Sequence, residues 1–125
     1  VGETLEENEA GRTAEVVGRQ VRLGLAGIAG AAEIVVAYEP VWAIGTGINA
    51  ENDQIEEMHN LIRDYLGQLL GDCAGRGIPI LYGGSVKPAN FRSIIALPSV
   101  AGGLVGGASL MPASFAELVK IAAQC

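Results

Sequence analysis

Short apolar runs rich in β-branched residues alternate along this chain with longer stretches in which apolar side chains return every three or four positions. That alternation belongs to a parallel sheet whose strands are joined by crossover helices, and it predicts an α/β fold. The strand candidates are Ile34 to Tyr38, Ile78 to Tyr82 and Gly103 to Val105. Between the first two, Ile55, Met58, Ile62, Tyr65, Leu66 and Leu69 share one face of a helix that Gly71 stops. Upstream, Val16, Val17, Val21 and Leu25 lay a similar stripe on a helix from about Arg12 to Ile28, which Gly18, Gly24 and Gly27 each weaken by about 1 kcal/mol against Ala. Lys87-Pro88 opens a short helix through Phe91, Ile94 and Ile95. Pro112, with Ser114 and Glu117, opens the last one through Phe115, Leu118, Val119 and Ala122. The predicted order is helix, strand, helix, strand, helix, strand, helix.

Each strand candidate feeds an unusual loop at its C-terminal end, where α/β proteins carry their chemistry. The loops are Glu39 to Ala50, Gly83 to Val86 and Gly106 to Ser109. Two of them hold Gly-Gly pairs leading toward a helix start, and backbone N–H groups with no Cβ in the way make a phosphate cradle. A Gly-Gly pair by itself reads equally well as a plain turn.

Composition narrows the function. The 125 residues make one domain, half of them apolar and 18% charged, which excludes a disordered tail. With 8 Lys+Arg against 14 Asp+Glu, net -6, the chain lacks the clustered basic side chains of a nucleic-acid binder. Cys73 and Cys125 are too few and too far apart for a disulfide framework or a metal site, so no metal is expected and a reducing, cytoplasmic compartment is the default. The opening Val1-Gly2-Glu3 has no initiator Met, basic n-region or apolar h-region, and reads as the interior of a longer polypeptide. The uncharged stretch from Ser93 to Ala116 is long enough to span a bilayer, but Pro98, Pro112 and its Gly-Gly pairs argue against a membrane segment.

The run Ala37-Tyr38-Glu39-Pro40-Val41-Trp42-Ala43-Ile44-Gly45-Thr46-Gly47 closely resembles the active-site signature of the triosephosphate isomerase family. The resemblance extends along the chain. Val1 to Glu7 is similar to the end of the family's fifth barrel strand and its loop, Tyr82-Gly83-Gly84-Ser85-Val86 to the seventh, and Leu104-Val105-Gly106-Gly107-Ala108-Ser109-Leu110 to the eighth. A complete TIM (β/α)8 barrel takes about 250 residues. The resemblance therefore implies a single half-barrel domain over residues 1–125, the C-terminal half, with about four β/α units running from the end of strand 5 to helix 8.

It further implies interconversion of dihydroxyacetone phosphate and glyceraldehyde 3-phosphate, a step of glycolysis and gluconeogenesis, with no cofactor. Glu39 would be the general base, moving a proton between adjacent carbons through an enediolate. Pro40 to Ala50 would be a lid: Pro40 restricts the first hinge, Val41, Trp42 and Ala43 form its stem, and Gly45, Thr46 and Gly47 its tip. The Gly45 amide, with those of Ser85, Gly106 and Gly107, would hold the substrate phosphate, while Ile44 and Leu104 would cover the Glu39 carboxylate. Tyr82 and Ser85 would latch the closed lid, and Glu3 would hold the lid tryptophan. The lysine and histidine that the family uses on the substrate carbonyl have no counterpart here, and His59 reads as a helix-surface residue.

Departures from the family pattern touch the lid and one ion pair. The second hinge, commonly Lys-Thr-Ala, is Ile48-Asn49-Ala50. Ser99 and Ala101 replace acidic residues ahead of the last strand, leaving Arg63 without its usual partner. The implied partners are a triose phosphate and either the N-terminal half of the barrel or a second copy of this chain, the family being typically homodimeric. A half-barrel that only folds or assembles, without chemistry, is the competing reading, and the missing electrophiles separate the two.

Overall fold

The computed structural model describes residues 1–28 and 33–125. Its helices are α1 (Leu5–Glu9), α2 (Thr13–Gly24), α3 (Asn52–Leu70), α4 (Asp72–Gly77), α5 (Pro88–Ile95) and α6 (Pro112–Ala122), and its strands are β1 (Val36–Tyr38), β2 (Ile80–Tyr82) and β3 (Gly102–Gly103). Short 3-10 turns occupy Val41–Ala43 and Gly107–Leu110. The strands pair in parallel in the order β1-β2-β3, with Tyr38 opposite Tyr82 and Tyr82 opposite Gly103. Parallel pairing follows from the crossovers: α3 and α4 carry the chain from the end of β1 back to the start of β2, and α5 does the same from β2 to β3.

The sheet continues one residue beyond β1. The Val1 nitrogen donates to the Ala37 carbonyl at 2.8 Å and the Val1 carbonyl accepts from the Glu39 amide at 2.7 Å, the two bonds a parallel neighbour of Tyr38 would make. Val1 to Glu3 thus lies along the edge of β1, and the chain turns into α1 directly afterwards. Thr4 caps that helix, its hydroxyl accepting from the Glu7 amide while the Glu7 carboxylate accepts from the Thr4 amide at 2.9 Å.

The strands are shorter than the apolar runs suggest, because Ile34 and Val35 precede the paired stretch and Val35 is exposed. β3 starts one residue earlier than expected and ends at Gly103, although the Leu104 amide still donates to Tyr82 at 2.8 Å. α1 and α4 have no counterpart among the expected helices, being only five and six residues long and too short to show a period. α2 stops at Gly24 because Gly27, at a φ of 78°, turns the chain away.

The core sits between the sheet and its helices. Ile55, Ile62 and Leu66 of α3 and Val17 of α2 are fully buried with Ile80 and Tyr82, while Phe91, Ile94, Leu118 and Ile121 join α5 and α6 to the same cluster. His59 corrects the expected surface position: it is fully buried. Its spacing, four after Ile55 and three before Ile62, places it on the apolar stripe and not opposite it. Its ring centroid lies 6.0 Å from that of Tyr38 and 6.5 Å from that of Tyr82, and its Nδ1 is 3.3 Å from the Ser99 carbonyl.

Candidate active site

Glu39 is the first residue after β1, so the strand fixes its backbone while its side chain is free to leave the sheet edge. That side chain crosses Gly83, the first residue after β2, where a Cβ would come within 2.5 Å of Glu39 Cγ and 3.1 Å of Oε2. Only glycine at that position lets the carboxylate reach across the strand ends. The place it reaches is a cleft of about 640 Å³ at the C-terminal end of the sheet. Ile44 and Gly45 of the loop after β1 line it from one side, Ser85 from the loop after β2, and Leu104, Gly106 and Gly107 from the loop after β3. The structure therefore gathers seven of the expected site residues around one space.

The open backbone of the third loop faces that space. A Cβ at Gly106 or Gly107 would meet no protein atom within 4 Å, so the volume beside them is free for a ligand. Gly107 begins the 3-10 turn Gly107–Leu110, closed by the Ser109 amide donating to the Gly106 carbonyl at 2.9 Å. Ile44 and Leu104 do not seal the carboxylate as expected: they are 46% and 43% exposed, and Glu39 stays half-buried.

The other expected residues lie outside the cleft lining, and several tether the loop after β1. Pro40, buried, ends the strand and accepts through its carbonyl from the Ala43 amide at 2.9 Å. Val41 is exposed and Ala43 fully buried, so the 3-10 turn rests on Ala43. Trp42 donates its indole N–H to Glu3 Oε1 at 2.8 Å, and the Val41 amide donates to the Glu3 carbonyl at 2.9 Å. Glu3 is fully buried without a cation; Asn8 Nδ2 at 3.0 Å and the Tyr38 hydroxyl at 3.3 Å supply further donors. At the tip, the Thr46 hydroxyl donates to the Trp42 carbonyl at 2.9 Å, and Gly45 and Gly47 take φ of 68° and 80°, values that only glycine adopts readily.

Burial, reinforced by the Glu3 carboxylate, pushes the Tyr38 phenol well up from its ordinary value. Burial also raises that of Tyr82, partly offset by the Ala50 backbone amide that faces its hydroxyl. Among the described residues, no hydrogen bond closes at either the Tyr82 hydroxyl or His59 Nε2. The expected latch between Tyr82 and the lid is thus unmade in this structure. Burial likewise lowers the His59 imidazole, against smaller opposing effects of the Ser99 carbonyl and Glu56.

Three features escaped the sequence reading of the site. Gly83 and Gly84 read equally well as a phosphate cradle or a plain turn; in the structure Gly83 makes room for Glu39, and Gly84 makes room for the Tyr82 hydroxyl, which a Cβ there would overlap. Lys87 lines the cleft and is its one cation among the described residues; it was legible only as a helix opener. Arg63, expected to lack a partner, donates through Nη1 to the carbonyls of Gly75, Arg76 and Ile78 around the end of α4.

Parallel strands, crossover helices and a cleft built from the loops at the C-terminal strand ends define part of a β/α barrel. The family model described as triosephosphate isomerase matches residues 1–122. The chain is 53% identical over 121 residues to the triosephosphate isomerase of Chlorobium phaeobacteroides, covering 97% of this chain and 49% of that protein. It is 50% identical over 123 residues to that of Chlorobium chlorochromatii, covering 98% and 49%, and 52% identical over 122 residues to that of Citrifermentans bemidjiense, covering 96% and 49%. The chain belongs to the triosephosphate isomerase family, and it spans about half the length of the curated relatives it matches.

Proposed function

We propose that this chain is the base-and-phosphate portion of a triose-phosphate isomerase, one C-terminal half-barrel domain over residues 1–125. The observation that supports the reading is the shared cleft, lined by the strand-end residue Glu39 together with Gly45, Ser85, Gly106 and Gly107. The backbone amides of the last four bind the phosphate of dihydroxyacetone phosphate or glyceraldehyde 3-phosphate at an end of the cleft that excludes no dianion. Glu39 takes the proton from the carbon beside the carbonyl and returns it to the neighbouring carbon, giving an enediolate between the two triose phosphates. The lid from Pro40 to Ala50, anchored through Trp42 and Glu3, brings Gly45 onto the phosphate and Ile44 with Leu104 over the base, removing water from it.

The enediolate oxygen needs a donor that stabilises its developing charge, and removing one such donor costs about 2.7–4 kcal/mol in other enzymes. The remainder of the barrel, in the same polypeptide or in a second chain, supplies that group. An isomerase assay on this chain alone and after mixing with a matching N-terminal half tests the reading. Turnover appearing only on mixing supports it. Full turnover from this chain alone overturns the need for an outside donor, and no turnover in a reconstituted barrel overturns the isomerase reading.

A further inference from the structure

The second hinge of the lid, Ile48-Asn49-Ala50, departs from the family pattern, and its middle residue meets the phosphate loop through a single side chain. Asn90, in the first turn of α5, accepts from the Lys87 amide at 2.8 Å through Oδ1. Its Nδ2 donates to the Ser85 carbonyl at 2.8 Å and to Asn49 Oδ1 at 3.4 Å. Asn90 is half-buried and Asn49 exposed, so the carboxamide stands between the lid hinge and the loop after β2.

The geometry points to Asn90 as a positioning residue that couples the lid to the phosphate cleft, acting through Asn49 on one side and Ser85 on the other; it rests on the phosphate-binding reading above. Two of its three bonds are short and fix the amide plane: one to the helix opening, one to the Ser85 carbonyl. The Ser85 carbonyl belongs to the residue whose side faces the cleft, so the bond sets the tilt of the loop that presents the cleft's amides. The third bond, to Asn49, is long, and a bond of that length forms and breaks with small displacements. A rigid amide with one loose arm transmits a shift at the loop to the hinge without being part of either. No bond to the hinge backbone is needed, which suits a segment that must move.

Trp42 is the chain's single tryptophan and lies in the lid, so its fluorescence reports lid position directly. Inorganic phosphate is titrated into this chain and into the Asn49→Ala, Asn90→Ala and doubly substituted forms while Trp42 emission is followed. Loss of the α5 contact in Asn90→Ala occurs with either residue at 49 and cancels in the double-mutant cycle. The expected result is that Asn49→Ala weakens the apparent phosphate affinity about two- to tenfold, the range of one modest hydrogen bond. It should have no such effect when residue 90 is already Ala.

Additive effects, or parental affinity in Asn49→Ala, overturn the coupling while leaving phosphate binding in place. Asn49 is exposed, so its variant remains informative even if Asn90→Ala folds poorly. A parent chain with no phosphate response, or a response that Gly107→Val leaves unchanged, overturns the phosphate-binding reading, and the coupling with it.

Discussion

At Glu39 and Gly107 two roles meet in one cleft and can be separated by substitution. Glu39→Asp withdraws the carboxylate by about 1 Å, a misplacement that can cost about 10²-fold in rate. Phosphate affinity should stay near parental, because the proposed function assigns the anion to backbone amides that this substitution leaves alone. Gly107→Val should do the reverse: its side chain enters space that contains no protein atom within 4 Å, so it crowds the ligand and not the fold. Turnover in a reconstituted barrel and the dissociation constant of a phosphate-bearing inhibitor, measured for both variants, check the assignment; parental values where a loss is expected would reassign the role. His59 gives a second residue-scale expectation. Burial lowers its folded-state value below the ordinary 6.5, so the unfolded chain binds the proton first as pH falls. Its contribution is fully present above about pH 6.5 and is lost as pH drops from there toward the lowered folded value. Denaturant midpoints measured across that window should fall with decreasing pH in the parent and lose that slope in His59→Gln, since the chain has no other histidine.

Among the elements, the helices show what a sequence conveys and what it does not. The stripe of α3 was legible because nineteen residues repeat the period many times, and His59, expected at the helix surface, falls on that same stripe by its spacing. The glycines of α2 look alike in sequence and differ in place: Gly18 lies against the Tyr65 ring, Gly24 meets nothing within 4 Å, and Gly27 turns the chain. Contacts between elements remote in sequence make that difference, and no local pattern encodes them. Gly24→Ala should therefore stabilise by about 0.4–1 kcal/mol, through the unfolded chain. Gly75→Ala should destabilise by about 1–3 kcal/mol, because its Cβ would fall 2.5 Å from the Gly67 nitrogen and α3 and α4 would have to part. Urea unfolding of the two variants should move the midpoint in opposite directions. The lid motif was legible for the opposite reason: its residues are contiguous, and the loop carries its own bonds from Thr46 to Trp42 and from Ala43 to Pro40.

For the molecule as a whole, the sheet has two uncovered sides. Beyond β3 the described residues add no further strand, and beyond β1 only Val1 follows. Leu110, Met111, Phe115 and Val119, 84%, 61%, 44% and 54% exposed, add an apolar face around the start of α6. Open strand edges beside exposed apolar side chains favour pairing. Sedimentation of this chain should accordingly show concentration-dependent association, and a concentration-independent monomer that binds no apolar dye would count against it. The strand order was readable from alternating periods, but the extent of the open faces was not, because exposure depends on which elements pack where.

The carboxylate of Glu3 joins a half-buried indole, a phenol and a carboxamide, and its bond to Trp42 spans 39 residues of sequence. Closing a loop of that length costs roughly 3 kcal/mol in chain entropy beyond a constant. The tether of the Val41–Ala43 turn to Glu3 is therefore a long-range contact that no local structure supplies. Segments with few buried contacts open at less cost than the core of a long helix. The indole proton of Trp42 should exchange with deuterium well before the amide of Ile62 inside α3, so that the molecule loses hold of its lid long before it loses its shape.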